Sequence, residues 1–354
     1  MKHVIKFLTF SLLFACVLTS CSSDDDNFIE TPTSLGDFEN GYFILNEGSS
    51  DFTSPVTFVG DDGIVFEDVF ETINPGAEPV GTYLQDMFFD DSRAFIISGS
   101  ANKITVFDRY TFEFITTIDT DFMAPRFGTV IDGKAYVTNT AEWDNNTDDF
   151  ITIIDLNNYS TSTLNVNKNA EKITTENGKV FISNGYYGIG NTITILNPAT
   201  QGMESLDLGA DNSPNSMEIK NGVLYVLTYN HVSNGKVFKI NLSNNEIINT
   251  VDIPSSITDT KNLKVEDNIV YFTSGASVYS FGTSDSIVSE TPLLTYNSTS
   301  AYGIMYGFDV ENNKLYIADG GDFNSASNAY EYSLSGTLLK TITTGIGPNG
   351  FFFN

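Results

Sequence analysis

The 354-residue chain has little cysteine and little histidine, and both shortages narrow its possible chemistry. The only cysteines are Cys16 and Cys21, and the only histidines are His3 and His231. If an N-terminal signal is removed, Cys16 and His3 leave with it. The remaining domain then has no disulfide, no histidine-rich metal site, and one histidine at most for nucleophilic catalysis. We therefore expect a protein that is not an enzyme and that carries no catalytic cofactor or metal.

Basic residues and long helical patterns are also scarce. The 17 Lys and Arg residues face 45 Asp and Glu residues, which gives a formal net charge of −28. Such a charge repels a phosphate backbone, so it argues against nucleic acid as a partner. The abundant Tyr, Phe, Asn, Ser and Thr residues are typical of half-buried strands joined by polar turns.

The N-terminal apolar run, at residues 7–18, is too short to span a bilayer. It follows Lys2 and Lys6 and precedes Leu18-Thr19-Ser20-Cys21. This sequence resembles a lipobox, the motif in which a cysteine is diacylated and becomes the new N-terminus after cleavage in front of it. The pattern predicts a lipoprotein signal peptide at residues 1–20 and lipidation of Cys21. An ordinary secretory peptide is the alternative.

An acidic, polar stretch follows the cysteine and predicts a lipidated tether at residues 21–40. Its Ser22-Ser23-Asp24-Asp25-Asp26 cluster resembles the signal that sends Bacteroidetes-type lipoproteins to the outer face of the outer membrane. The resemblance implies a surface-exposed outer-membrane lipoprotein held to the membrane by its lipid. Alternatively, the acids only keep the linker extended.

A strand-forming motif with a central aromatic residue recurs through the rest of the chain. The aromatics are Phe43, Phe95, Tyr136, Phe181, Tyr225, Tyr271 and Tyr316. Their spacings of 52, 41, 45, 44, 46 and 45 residues are close to the period of a four-stranded propeller blade. The pattern predicts an all-β, seven-bladed β-propeller at residues 41–354, in which the motif forms the second strand of each blade.

The two ends of this domain are complementary. The chain ends at Gly347-Pro348-Asn349-Gly350, which matches a first strand such as Ser213-Pro214-Asn215-Ser216, and it begins at a second strand near Gly41. We therefore expect the N- and C-terminal strands to pair within one blade and close the ring.

In a propeller, the loops into first strands and the ends of second strands share one rim. Second strands end at Asn46, Ser98, Asn139, Asn184, Thr228, Ser274 and Asp319, and the loops into first strands carry Gln85, Arg126, Lys172, Asn215, Lys261, Tyr302 and Asn349. Longer loops on this rim carry large aromatic side chains, including Trp143, Tyr186, Tyr187 and Tyr229. Loops of this kind hold binding functions.

From this rim we predict a broad, aromatic-lined ligand site. The predicted contact residues are Asn46, Arg126, Asn139, Trp143, Asn184, Tyr186, Tyr187, Asn215, Tyr229, Lys261, Tyr302, Asp319 and Asn349. The alternative for each polar residue is that it caps a strand end and satisfies backbone groups. Asp319-Gly320-Gly321-Asp322 and residues 144–149 offer clustered oxygens, but neither matches a full calcium loop.

Several of these segments resemble those of a known family. Asn46-Glu47-Gly48, Ala124-Pro125-Arg126-Phe127, Ser213-Pro214-Asn215-Ser216, Ile317-Ala318-Asp319 and the terminal Gly347-Pro348-Asn349-Gly350-Phe351 look like the BtuG-like (YncE-like) surface lipoprotein propellers. The resemblance covers nearly all of residues 41–354. It implies a non-enzymatic protein that binds a cobamide, a vitamin B12-like corrinoid, and passes it to a TonB-dependent outer-membrane transporter.

Two other functions remain open from the residues alone. A surface propeller can bind a protein or a glycan in interaction or adhesion. A propeller lyase or lactonase would need a convergent acid, base or metal set at the channel mouth, and the predicted ring of strand-end residues has one carboxylate and no histidine.

Overall fold

The computed structural model describes residues 34–50, 54–229, 235–298 and 300–354. The predicted signal peptide, Cys21 and most of the predicted tether lie outside the described residues, as does His231. The described part forms one compact unit from Leu35 to Asn354.

Within the described residues, twenty-eight strands form seven four-stranded antiparallel sheets. Blade 1 contains β4 (Leu84–Phe89), β5 (Arg93–Ser98), β6 (Lys103–Asp108) and β7 (Phe114–Ile118). Blade 2 contains β8 (Pro125–Ile131), β9 (Lys134–Asn139), β10 (Phe150–Asp155) and β11 (Thr161–Asn165). Blade 3 contains β12 (Ile173–Glu176), β13 (Lys179–Tyr186), β14 (Ile189–Asn197) and β15 (Gly202–Asp207). Blade 4 contains β16 (Ser213–Lys220), β17 (Val223–Tyr229), β18 (Lys236–Asn241) and β19 (Glu246–Asp252). Blade 5 contains β20 (Thr260–Glu266), β21 (Ile269–Ser274), β22 (Ser277–Gly282) and β23 (Leu294–Thr295). Blade 6 contains β24 (Gly307–Glu311), β25 (Lys314–Asp319), β26 (Asn328–Ser333) and β27 (Leu338–Thr343). Blade 7 contains β28 (Pro348–Phe353), β1 (Gly41–Asn46), β2 (Val56–Gly60) and β3 (Val65–Phe66).

This arrangement confirms the predicted seven-bladed propeller and its closure. Each aromatic motif lies on the second strand of a blade, and β28 pairs antiparallel with β1, from Tyr42 opposite Phe353 to Asn46 opposite Pro348. Each inner strand of blade 7 is therefore hydrogen-bonded, although the two come from opposite ends of the domain.

In the part of the chain that the structure describes, seven apolar clusters form the core, and each lies between two neighbouring blades. The second-strand aromatics supply much of this packing. Phe95 of blade 1, for example, is fully buried against Val137 of blade 2 in one cluster. Because successive blades share their apolar faces, packing between blades stabilises the ring, and no cysteine lies among the described residues to form a disulfide.

Two features near the seam differ from the sequence prediction. Phe38 packs inside the core against Phe43, Phe58 and Phe112, so residues 35–40, predicted as the end of a tether, belong to the folded unit. A short helix, α1 (Val69–Ile73), follows β3 and explains why the first motif spacing is the longest. None of the described helical segments is long and apolar enough to cross a membrane.

Candidate functional site

A cavity of about 460 Å³ opens on the rim predicted from the sequence, at one side of the central channel. Blades 2 to 5 line it with Arg126, Phe127, Glu171, Lys172, Gly185, Tyr186, Tyr187, Gly188, Asn215, Tyr229, Asp259, Thr260 and Lys261. Six of the predicted contact residues therefore surround one space: Arg126, Tyr186, Tyr187, Asn215, Tyr229 and Lys261.

β-Bulges at the start of the first strands aim side chains toward this space. The register shifts between Pro125 and Gly128 in β8, and between Pro214 and Ser216 in β16. The extra residues include Arg126 and Asn215, which leave the ladder and point toward the channel mouth. A proline has no N–H to lose from the ladder, which suits it to the position before the bulge.

A tight hairpin between β13 and β14 brings two tyrosines to the cavity. Tyr186 pairs with Ile189, so Tyr187 and Gly188 form the turn, with φ of 45° and 82°. A two-residue hairpin loop commonly needs positive φ at both of its central residues, so the turn itself accounts for the left-handed conformation of Tyr187. Tyr187 remains 75% exposed, and its ring contacts that of Tyr186 at a centroid distance of 4.4 Å.

Trp143 extends the aromatic wall beyond the cavity. Its ring lies 5.9 Å from that of Tyr186 and 5.6 Å from the guanidinium carbon of Arg126, and it is 56% exposed. The indole therefore presents an apolar surface to solvent beside the opening, where a large ligand would extend.

Three cations reach the cavity in this acidic protein. Arg126 donates to Gln85 and pairs with Glu171 at 3.3 Å. Burial is the largest single effect and opposes the charge of Arg126, but Glu171, with Tyr186 and Tyr306, outweighs it and holds the pKa of Arg126 above its ordinary value. Burial lowers the pKa of Lys172 to about 8, against the opposing effect of Asp86.

The third cation, Lys261, donates to the carbonyl oxygen of Ile304 at 2.9 Å, and burial lowers its pKa. It reaches the cavity from β20 of blade 5, across from the bulge of β8. The cations are thus spread over neighbouring blades and can contact different parts of one ligand.

A second cavity, of about 330 Å³, continues along the channel below the first. Phe127, Lys172, Asn215 and Lys261 line both spaces and form their shared wall. Deeper in the channel, Lys264 pairs with Asp309 at 2.5 Å, and burial raises the pKa of Glu218 to about 7. Burial also raises the pKa of Asp86 to about 6.

Four of the predicted contact residues instead lie inside the blades. Asn46, Asn139, Asn184 and Asp319 are at most 4% exposed. Asn46 donates to the Pro55 carbonyl at 2.8 Å, Asn139 to Thr152 Oγ1 at 3.0 Å, and Asn184 to the Asn169 carbonyl at 2.6 Å. Asp319 accepts from Tyr296 at 3.1 Å. Here the structure favours the strand-capping alternative, because buried polar groups must be satisfied within the fold.

The other predicted positions lie outside the cavity. Tyr302 is 91% exposed on blade 6, and Asn349 lines only the channel. Asp322, from the suggested calcium segment, instead accepts from the backbone of Asn324 and Ser325 in a turn. Among the residues that the structure describes, no three His, Cys, Asp or Glu side chains are grouped to hold a metal ion.

Sequence reasoning missed the acids beside the cations. Glu171 directly precedes Lys172, and Asp259 lies two residues before Lys261 and forms a hydrogen bond with Tyr229. Glu47 accepts from Tyr306 in a contact between blades 7 and 6, and burial raises the pKa of Glu47. The position of these acids in the sequence could have predicted their place on the rim, because each lies just before a first strand or just after a second strand.

Fold and site together define a closed seven-bladed β-propeller with an aromatic, mixed-charge cavity at its channel mouth. Residues 40–352 match the family described as a domain of unknown function, DUF5074. The chain belongs to this family. No curated protein matches the sequence.

Solved structures share the fold at low sequence identity. A quinonprotein alcohol dehydrogenase-like protein from Bacteroides thetaiotaomicron is 15% identical with a TM-score of 0.68, over 89% of this chain and 78% of that chain. A functionally unknown protein from Desulfotomaculum acetoxidans is 12% identical with a TM-score of 0.65, over 89% and 98%. BamB from Moraxella catarrhalis is 14% identical with a TM-score of 0.54, over 89% and 86%. Such distant similarity extends to the fold alone.

Proposed function

We propose that this protein is a non-enzymatic capture protein, a BtuG-like propeller that binds a cobamide at the rim cavity. The observation that carries the proposal is the aromatic wall of Phe127, Tyr186, Tyr187 and Tyr229 around a wide cavity with dispersed polar groups. A corrinoid is a large, flat macrocycle fringed with amides. Rings that stack and separate hydrogen-bonding groups suit it better than a single deep charged pocket does.

The cavity would hold one edge of such a ligand, and the rest would lie on the rim. Trp143 and Tyr187, both largely exposed, would cover that outer part.

The proposal extends to the location and partner expected from the sequence. Lipidation of Cys21 would hold the propeller on the outer face of the outer membrane. From there it would pass its ligand to a TonB-dependent transporter. A tether is suited to this role because it lets the propeller move between solvent and transporter.

Titration of residues 35–354 with cyanocobalamin tests the capture step. Trp143 is the chain's only tryptophan and lies beside the cavity, so binding is expected to quench its emission, with calorimetry as a second readout. Tyr187→Ala should weaken binding about tenfold through loss of ring contact.

Tyr83→Ala is the matched control for this variant. Tyr83 is also exposed and also has a positive φ, of 52°, but it does not line the cavity. Its affinity should equal that of the unaltered protein. The capture proposal fails if neither readout changes at micromolar cyanocobalamin, and retention of a surface protein or glycan instead would favour the adhesion alternative.

A further inference from the structure

We infer that the rim cavity binds a phosphodiester of its ligand, held between the Lys172 ammonium and the Arg126 guanidinium beside the ring of Phe127. The inference rests on the proposed capture of a cobamide and names the group that the cavity recognises. A cobamide carries one phosphodiester, in the nucleotide loop below the corrin ring. In cyanocobalamin the charge of the cobalt centre balances this group, so the ligand as a whole is neutral.

Phe127 brings two cationic groups close together. The Lys172 ammonium lies 3.6 Å from the centre of its ring, and the guanidinium carbon of Arg126 lies 5.4 Å from the same point. The two groups are therefore separated by no more than the sum of these distances. A phosphate that accepts N–H donors at about 2.8 Å on two of its oxygens spans donors up to about 8 Å apart. One phosphate thus suits the spacing of the two groups.

Lys172 has unused donors at the edge of the cavity. A lysine ammonium carries three N–H donors, and that of Lys172 forms no hydrogen bond or ion pair with another described residue. The two lysines that share the channel wall with it are both engaged. Lys261 donates to the Ile304 carbonyl at 2.9 Å, and Lys264 pairs with an aspartate. Because Lys172 lines both the rim cavity and the channel, its side chain borders space that a ligand can enter.

Arg126 also keeps donors for a ligand, and its side chain is 19% exposed. Its Nε and Nη2 face Glu171 at 3.3 to 3.4 Å, longer than the roughly 2.8 Å of a tight charge-assisted bond, and Nη1 donates to Gln85. A guanidinium has five N–H groups, so these three contacts leave two for a ligand. Burial and, less strongly, the charge of Arg126 lower the pKa of Lys172. An anion between the two groups would offset both effects.

The charge of the cavity lining favours a single negative charge on the ligand. Three cations line the described cavity together with two carboxylates, those of Glu171 and Asp259, so one positive charge is left over. Glu171 already pairs with Arg126, and Asp86 in the channel accepts from the Gly128 N–H at 2.9 Å. A phosphodiester carries one charge, whereas a phosphate monoester carries about −1.5 to −2 at neutral pH. A polyanion such as nucleic acid would be repelled by the chain as a whole, whose net charge is −28.

The test compares cyanocobalamin with dicyanocobinamide, which keeps the corrin ring and its amides but lacks the phosphodiester, the ribose and the base. The unaltered protein should bind cyanocobalamin about tenfold more tightly. Lys172→Met keeps an apolar side chain on Phe127 and removes the charge. It should weaken cyanocobalamin binding about tenfold and leave dicyanocobinamide binding unchanged. Cobinamide phosphate, which has the phosphate without the base, should lose affinity as cyanocobalamin does.

Lys261→Met is the matched control, because it removes one positive charge from the same cavity and the same channel wall. It should affect corrinoids with and without phosphate alike. If it reduces the preference for phosphate as much as Lys172→Met does, the effect is that of net charge, and the site beside Phe127 is overturned.

The outcomes separate the inference from the proposed function. If dicyanocobinamide binds as tightly as cyanocobalamin, or if Lys172→Met weakens both alike, the phosphodiester inference is overturned while cobamide capture stands. If no corrinoid binds, cobamide capture fails, and dimethyl phosphate, neutral trimethyl phosphate and acetate, compared by ligand-observed NMR, test the inference alone. Preference for dimethyl phosphate that Lys172→Met abolishes supports it. Equal binding of the three, binding of none, or preference for either of the others overturns it.

Discussion

At the scale of single residues, the asparagines that end second strands join strands rather than bind ligand. Asn46 contacts Thr57 at 3.2 Å, Asn139 contacts Thr152 at 3.0 Å, and Thr194 donates to Asn184 at 2.7 Å. In each case the threonine lies on the third strand of the same blade. In these three blades the repeat therefore encodes a buried side-chain bond that fixes the second strand to the third.

Asn184→Ala should lower the free energy of unfolding by about 2 kcal/mol, because it leaves buried partners unpaired. Urea unfolding measures this loss, and cyanocobalamin affinity should be unchanged. Tyr302→Ala is the control, since this 91% exposed side chain should leave stability as it is. A binding loss in Asn184→Ala without a stability loss would contradict the structural role.

Glu218, which lines the channel, makes the free energy of unfolding depend on pH, and the sign of this dependence follows from its pKa. Burial raises its pKa from 4.5 to about 7, although Lys264 opposes this shift and Asp309 adds to it. Between these two values the folded protein binds more protons than the unfolded chain. The free energy of unfolding from this group therefore falls as pH rises through that window.

Glu218→Gln should remove this dependence. The glutamine keeps an oxygen for the Val265 N–H, which Glu218 now binds at 2.9 Å, but it does not ionise. The variant should be more stable than the parent by about 1–2 kcal/mol above neutral pH, with the difference shrinking toward acid. Urea unfolding across this range measures it, and Glu204→Gln, at an exposed position on β15, should follow the parent. A constant difference at all pH values would refute the assignment.

At the scale of strands and loops, the fold was predictable from the sequence and the side chains that face the site were only partly so. The second-strand aromatics recur because each fills the space between two blades, so their spacing predicted every blade. Asn139 is the last residue of its strand, and its side chain can face either the rim or the blade interior. The spacing of the motifs along the sequence does not specify which. Tyr186, Tyr187 and Tyr229 were predictable because they lie in or beside hairpin loops of the rim.

Close approach between strands of neighbouring blades depends on Gly128 in β8. A Cβ atom there would lie 2.1 Å from the ring of Phe88, which is itself stacked on Phe95 at 4.9 Å. Gly128→Ala should therefore lower the free energy of unfolding by about 1–3 kcal/mol through overpacking. Gly202→Ala is the matched control, because its nearest contact is 3.2 Å away at an exposed site. Equal stability of the two variants, measured by thermal unfolding, would show that blades 1 and 2 tolerate a wider spacing.

At the scale of the whole molecule, the chain joins its ends within blade 7 and carries a net charge of −28. Acidic residues outnumber basic residues by 45 to 17 in the chain, while Arg126, Lys172 and Lys261 meet at the cavity. This contrast lets the surface repel polyanions while the cavity still offers donors to a neutral, amide-bearing ligand. It suits capture of such a ligand in the presence of other charged solutes.

In the proposed function, lipidation of Cys21 holds the whole molecule at the membrane. The chain's other cysteine, Cys16, provides a matched control for this lipidation. Cys21→Ser in the full-length chain, expressed in a Bacteroidetes host, should abolish incorporation of labelled palmitate, because only a thiol accepts the lipid. Cys16→Ser should keep the label, since residue 16 lies within the predicted signal peptide. Surface protease accessibility of the parent in intact cells then distinguishes the outer face from the periplasm. Label retained in Cys21→Ser would refute the assignment of the lipid to Cys21. Absence of label from the unaltered protein would remove the anchor, and with it the reason to place this propeller beside a transporter.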